Sequence, residues 1–256
     1  MRWLFFLTPP ADGAENMALD DALMRRAART GEAVFRVYGW SAPTLSLGRN
    51  QRARDCYDLT AAREAGISFV RRPTGGRALL HDREITYSAT LPAPDAASAR
   101  RAYSFINTVL LDGLSRVGVA AALADGTLSL PPGPRPCFDV PAEHEIAVDG
   151  RKLVGSAQWR HDGALLQHGS ILVRDDQRWT NSLLRAPAAA DPPAAATLEA
   201  AIGRSPPTSE VADALCAALE THVDAPVGRF VPDGPLSDDA RNLRALYHDD
   251  AWTWRR

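Results

Sequence analysis

Stretches with helical and strand periodicity follow one another irregularly along this chain, and that order limits its fold more than any other feature. Leu19, Leu23 and Ala27 recur every four residues in a segment from 15 to 30, Met24 joins their face, and Gly31 stops it. Two strand-like runs come next, Val34-Phe35-Arg36-Val37-Tyr38 and Thr44-Leu45-Ser46-Leu47, with Pro43 between them. A short helical stretch over 59–65 ends at Gly66, and Ile67-Ser68-Phe69-Val70 then alternates as a strand. Residues 1–7, 85–91, 145–148, 153–158 and 164–173 also read as strands. Ile106, Val109, Leu110, Gly113, Leu114 and Val117 form the apolar stripe of a helix. Ala and Pro dominate 185–207, which reads as a disordered linker with room for a short helix at 198–202. A helix carrying Val211, Leu215 and Leu219 follows, and 243–254 ends the chain. A doubly wound parallel sheet needs strict strand–helix–strand alternation, so this order favours a mixed α/β sheet.

Composition narrows the function. The chain has 256 residues, 45% hydrophobic and 23% charged, as ordinary globular proteins do. Its formal net charge of -2 disfavours a general nucleic-acid binder. No apolar run approaches membrane-spanning length, and residues 1–7 lack a signal-peptide cleavage region. Cys56, Cys137 and Cys216 lie far apart without a CxxC pair, which argues against structural zinc and disulfides and for a reducing cytoplasm. Lysine and arginine together number 29, yet only Lys152 is a lysine. Lysine offers a compact ammonium whose proton affinity burial can change, whereas guanidinium is planar and permanently charged. A lone lysine is either compositional drift or a place where guanidinium will not serve.

Three segments combine residues with chemical potential. In Arg71-Arg72-Pro73-Thr74-Gly75-Gly76-Arg77, followed by His81-Asp82, a glycine pair after a strand lets backbone amides face an anion, and three arginines supply charge. A tight surface turn with solvated arginines would read the same way. Gly150-Arg151-Lys152-Leu153-Val154-Gly155-Ser156-Ala157-Gln158 sets the lysine between glycines. In Gln167-His168-Gly169-Ser170, polar residues interrupt an apolar strand, although a lone strand histidine is more often a satisfied core residue. Cys137 follows a proline-rich loop, Pro131-Pro132-Gly133-Pro134-Arg135, that would hold it at a fixed position with cations nearby, as a nucleophilic thiol requires. Cys216 lies beside an apolar helix stripe, and Cys56 has no activating partner in sequence.

Together these segments resemble the lipoate–protein ligase and octanoyltransferase superfamily, which shares its fold with biotin–protein ligases. The resemblance is carried by Phe35-Arg36-Val37-Tyr38-Gly39-Trp40, Pro43 to Gln51, Arg71 to Ser88, Gly150 to Gln158 and Gln167 to Leu172, in order and over most of the chain. It is nearest to the cysteine-dependent octanoyltransferases of the ligase-like branch, which are similar in Gly75-Gly76-Arg77-Ala78, in His81-Asp82-Arg83-Glu84, and in Cys137-Phe138, Glu145 and Gly150-Arg151-Lys152. The ATP-dependent ligases usually have a third glycine at Arg77 and often a large accessory domain, for which this chain has no room.

This resemblance implies a largely antiparallel central sheet flanked by helices, in one biotin/lipoate protein ligase catalytic domain over residues 1–256. An Ala/Pro-rich connection at about 186–207 would precede the C-terminal helices. It implies Cys137 as the acyl-carrying nucleophile and Lys152 as the essential lysine. Arg71, Arg72, Gly75, Gly76, Arg77, His81, Gly155, Ser156, Ala157, His168 and Gly169 are the implied substrate-binding positions. The implied donor is octanoyl acyl carrier protein. The implied acceptors are lipoyl-domain proteins, namely glycine cleavage H protein and the E2 subunits of 2-oxoacid dehydrogenases. No metal, cofactor, nucleic acid or membrane is expected. Two other readings remain: a lipoate–protein ligase that would need ATP and Mg, and a non-catalytic relative that binds acylated domains.

Overall fold

Residues 1–124, 145–186 and 194–256 are described by the structure, a computed structural model. The N-terminal part comprises β1 (Trp3–Leu7), α1 (Gly13–Thr30), β2 (Ala33–Tyr38), β3 (Thr44–Leu47), α2 (Leu59–Glu64), β4 (Ser68–Arg71), β5 (Leu79–His81), β6 (Glu84–Pro92) and α3 (Ala96–Arg116). Then come β7 (Ala122–Leu123), β8 (Ile146–Val148), β9 (Arg151–His161), β10 (Ala164–Leu172) and α4 (Arg178–Ser182). The remainder holds α5 (Leu198–Ile202), α6 (Thr208–His222), β11 (Gly228–Arg229), α7 (Gly234–His248) and α8 (Asp250–Thr253).

Eight strands form one sheet in the order β11-β1-β2-β6-β10-β9-β8-β7. Only the β11-β1 and β1-β2 pairs are parallel, so the sheet is mixed and largely antiparallel, as the resemblance implied. Alternation along β2 sends Phe35 and Val37 to one face and Val34 to the other. On the first face α3 and α6 contribute Ile106, Leu110, Leu215 and Leu219 to the larger core. On the second, α1 and α7 contribute Met17, Leu23, Leu243 and Tyr247. A three-stranded sheet, β4-β3-β5, lies beside α1.

Local chemistry sets the element ends. The Asp12 carboxylate caps α1 by accepting from the Glu15 amide, and Gly31, at φ 73°, closes it in the left-handed region. Asp149-Gly150 and Asp162-Gly163 all have positive φ and join β8 to β9 and β9 to β10 as two-residue hairpins, where right-handed strand twist favours such turns.

Of the expected linker over 185–207, the short helix at 198–202 is present and the disorder is corrected from residue 194 onward; 187–193 lie outside the described residues. Ala195 and Ala196 are buried, Ala196 donates its amide to the Lys152 carbonyl, and Thr197 caps α5. Small side chains let this stretch pack close to the sheet, which composition alone does not distinguish from a linker. The terminal segment forms two helices, with α7 beginning at Gly234. Among the described residues no helix is long and apolar enough to cross a membrane.

Candidate active site

The middle of β9 and β10 leaves a gap that becomes a cavity. Across these strands Gly155 pairs with Ser170 and Gly169 with Ser156. A Cβ on Gly169 would lie 2.5 Å from the Gly155 carbonyl oxygen and 2.7 Å from the Tyr87 ring, so only glycine fits. The space beside them, a cavity of about 40 Å³, is lined by Met17, Tyr38, Trp40, Arg72, Gly76, Leu79, His81, Thr86, Gly155, Ser156, Ala157, His168, Gly169 and Ser170. The cavity is narrow, and its walls are mainly apolar with a few directed polar groups.

Two buried carboxylates each hold a histidine on this lining. Asp20 of α1 is fully buried and accepts from Arg36 Nη1 at 2.9 Å, Tyr38 Oη at 2.8 Å and Ser88 Oγ at 2.7 Å. His168 Nδ1 lies 3.2 Å from its Oδ2. Burial pushes the Asp20 carboxyl up, but the His168 hydrogen bond and the Arg36 charge outweigh it and hold the group below its ordinary range. An ionised carboxylate only accepts, so Nδ1 carries the proton, and in the neutral ring Nε2 accepts from Thr74 Oγ1 at 2.6 Å. In the second set His81 Nδ1 lies 3.2 Å from Glu84 Oε1, and its Nε2 lies 2.8 Å from Ser46 Oγ. Thr86 and Ser170 also donate to Glu84, each at 2.6 Å. Burial lowers the His81 pKa although Glu84 opposes it, which favours a neutral ring stacked 3.9 Å from Trp40.

The structure brings Arg72, Gly76, His81, Gly155, Ser156, Ala157, His168 and Gly169 to the cavity. Gly75, Arg71, Arg77 and Lys152 are not on its lining, and Cys137 lies outside the described residues. The expected anion-facing role of Arg71 meets a physical obstacle. Its guanidinium is buried and donates to the carbonyls of Gly48, Gln51 and Thr253. Burial and then the nearby Arg255, Arg256 and Arg72 charges lower its pKa to about 10. Arg72 donates to the carbonyls of Ser46, Gly75 and Arg77, which braces the glycine turn over the cavity. Gly48 abuts that turn so closely that a Cβ would lie 1.9 Å from the Gly76 oxygen.

Lys152 is buried, and its Nζ lies 2.7 Å from Glu145 Oε1. It sits three residues along β9 from Gly155, roughly 10 Å by strand rise. Sequence reasoning missed Asp20, and it quoted Glu84, Tyr38 and Trp40 in motifs without assigning them to the site. Asp20 carried a signal, being a carboxylate within an apolar helical stretch, but its partner His168 is 148 residues away. Among the described residues no group of three or more His, Cys, Asp or Glu side chains could hold a metal.

The model of the lipoyl protein ligase A/B catalytic domain family matches residues 12–220. The octanoyltransferase LipM of Kyrpidia tusciae is 43% identical over 195 residues, covering 72% of this chain and 71% of its own length. LipM of Symbiobacterium thermophilum is 35% identical over 279 aligned positions, covering 100% and 99%. Among solved structures, a bipartite lipoate protein ligase from Thermoplasma acidophilum is similar at TM-score 0.81 and 20% identity, covering 99% of this chain and 96% of its own. A lipoate-protein ligase A bound with ATP is similar at 0.76 and 21%, covering 99% of each. At such identities the structural likeness speaks for the fold. The family match and the likeness at chain length agree with the resemblance carried by the sequence motifs: the chain belongs to the lipoyl protein ligase A/B catalytic domain family and is an acyltransferase enzyme.

Proposed function

We propose that this enzyme is an octanoyltransferase of protein lipoylation. It takes an octanoyl group from acyl carrier protein onto the Cys137 thiol and passes it to the lysine of a lipoyl domain. The observation that carries this reading is the likeness to octanoyltransferases LipM, at 35% identity along essentially the whole of both chains. The cavity supports it: a narrow, mainly apolar space at the centre of the sheet suits a short acyl chain. In the first step the thiolate displaces the carrier thiol from the thioester, exchanging one C–S bond for another. In the second, the lysine amine attacks the carbonyl, a C–N bond replaces the C–S bond, and the amine proton ends on the released thiol. Neither step requires nucleotide, because the donor carbonyl is already activated. The acceptors would be the H protein and E2 lipoyl domains.

Arg72 gives its donors to the main-chain carbonyls of Ser46, Gly75 and Arg77, which favours this reading over an adenylating ligase that needs cations turned toward phosphates. The test gives dialysed enzyme and apo lipoyl domain either octanoyl carrier protein alone or free octanoate with magnesium-ATP. Product in the first mixture is expected. Product only in the second would replace the transferase with a ligase.

A further inference from the structure

Lys152, the single lysine of the chain, is 3% exposed, so its ammonium has left bulk water. Its carboxylate neighbour is set by a specific local geometry. The Asp149-Gly150 turn pairs Val148 with Arg151 and Ala147 with Lys152, and a one-residue register shift then pairs Ile146 with Val154. Such a bulge bends the strand and re-aims its side chains, here beside the residue that precedes β8. That residue is Glu145, whose Oε1 lies 2.7 Å from Lys152 Nζ. On the lysine's main chain, the carbonyl accepts from the Ala196 amide, which fixes the backbone too.

Both charges act on Tyr103 of α3, and that of Glu145 also on Tyr87. Burial raises the Tyr103 pKa, its hydrogen bond with Asn107 opposes this, and the Glu145 and Lys152 charges push it in opposite directions. Burial also raises Tyr87, with Glu145 adding to the effect, and the Tyr87 hydroxyl meets Ser156 Oγ of the cavity wall at 2.7 Å. Lys152 thus meets the Glu145 carboxylate from the β8 side, with the Tyr103 phenol of α3 within reach of its charge.

A buried ammonium with no counter-charge tends to shed its proton, and one held by a carboxylate keeps it. These two states suit different work. A neutral amine accepts protons, whereas a fixed cation stabilises a developing oxyanion. We propose that Glu145 is the positioning residue of Lys152: its carboxylate holds the ammonium in one place and in its charged form, so that Lys152 serves acyl transfer as a fixed cation. This rests on the octanoyltransferase reading proposed above and on Lys152 as the essential lysine that the resemblance implies.

The lone lysine makes the test unusually direct. Protein grown on 13Cε-labelled lysine gives one side-chain resonance, read without substrate and therefore separately from the octanoyl-transfer assay. In the wild type it should keep the charged-state shift to about pH 9 or above. In Glu145→Gln the titration should fall by at least about one pH unit. Transfer by that variant should drop about tenfold or more in kcat with KM little changed, and its alkaline limb should move with the resonance. Glu145→Asp, which keeps the charge on a shorter stem, should leave the lysine titration near wild type and lower the rate severalfold. It carries the test if Glu145→Gln fails to fold. The same lysine titration in wild type and Glu145→Gln, or full activity with an unchanged pH profile in either variant, would overturn the proposal. Failure of octanoyl transfer by the wild type would remove the octanoyl reading and leave the lysine titration to stand by itself.

Discussion

Three donors and the His168 ring surround the Asp20 carboxylate, whose charge is therefore stable only while those partners stay in place. Asp20→Asn leaves Arg36 buried without its counter-charge and should cost about 3–5 kcal/mol, seen as a large drop in melting temperature. The wild-type group has a folded pKa below its unfolded value. Its stabilisation is thus present above the unfolded pKa and lost as pH falls through the folded one. Acid melts of the wild type should steepen below about pH 4, and those of Asp20→Asn should steepen less. Lys152→Arg should lose at least about tenfold in transfer while melting near the wild type, because a guanidinium at this buried position is wider and planar and cannot set a compact charge where Glu145 holds the ammonium. Activity within about threefold would mean that charge alone suffices there. Intact mass after incubation with octanoyl carrier protein should show one acyl adduct, absent in Cys137→Ala. An adduct at full level in that variant would move the nucleophile elsewhere. At this scale the sequence exposed the histidines, the glycines and the lysine, since each is unusual within its own segment. Asp20 stayed hidden and Glu84 stood in a motif without a role, because their meaning depends on partners such as His168 and Ser170 that only folding brings near.

The paired β9 and β10 strands build the cavity by giving up side chains at Gly155 and Gly169. Gly169→Ala should push β10 away from β9 and Tyr87, lowering both melting temperature and transfer rate, because the obstructing neighbour is backbone. Folded protein with unchanged kinetics would mean that the strands can separate freely there. The entry to α4 carries a different strain. Burial raises the Asp176 pKa to about 6, against the hydrogen bonds it accepts from the Arg83 amide and Gln177. A folded pKa above the unfolded one gives stability that is complete below about pH 4 and is lost as pH rises through about 6. Between pH 5 and 7 the melting temperature of Asp176→Asn should therefore gain on that of the wild type, and parallel curves would refute the assignment. Long periodic elements such as α1, α3 and β10 were legible because their apolar spacing spans several turns or pleats. The short β5, β7 and β11 strands have too few residues to display any period.

Over the whole molecule, distant segments meet behind the glycine turn. Arg71 Nε donates to the Thr253 carbonyl, Trp252 Nε1 donates to the Arg71 carbonyl, and the amides of Ala53 and Arg54 donate to the Arg256 carbonyl. Arg255 reaches the Arg49 carbonyl, and its guanidinium stacks 3.9 Å from the Trp252 ring. These bonds link residues more than 180 positions apart. A ribosome adds residues in order, at about 5–20 per second. For at least several seconds of synthesis, the 48–54 loop and the turn it supports must wait without their permanent brace. The β1 edge waits as well, since its partner strand begins at Gly228. Newly made protein should therefore complete the support of its glycine turn late and abruptly, once residues 252–256 have left the exit tunnel.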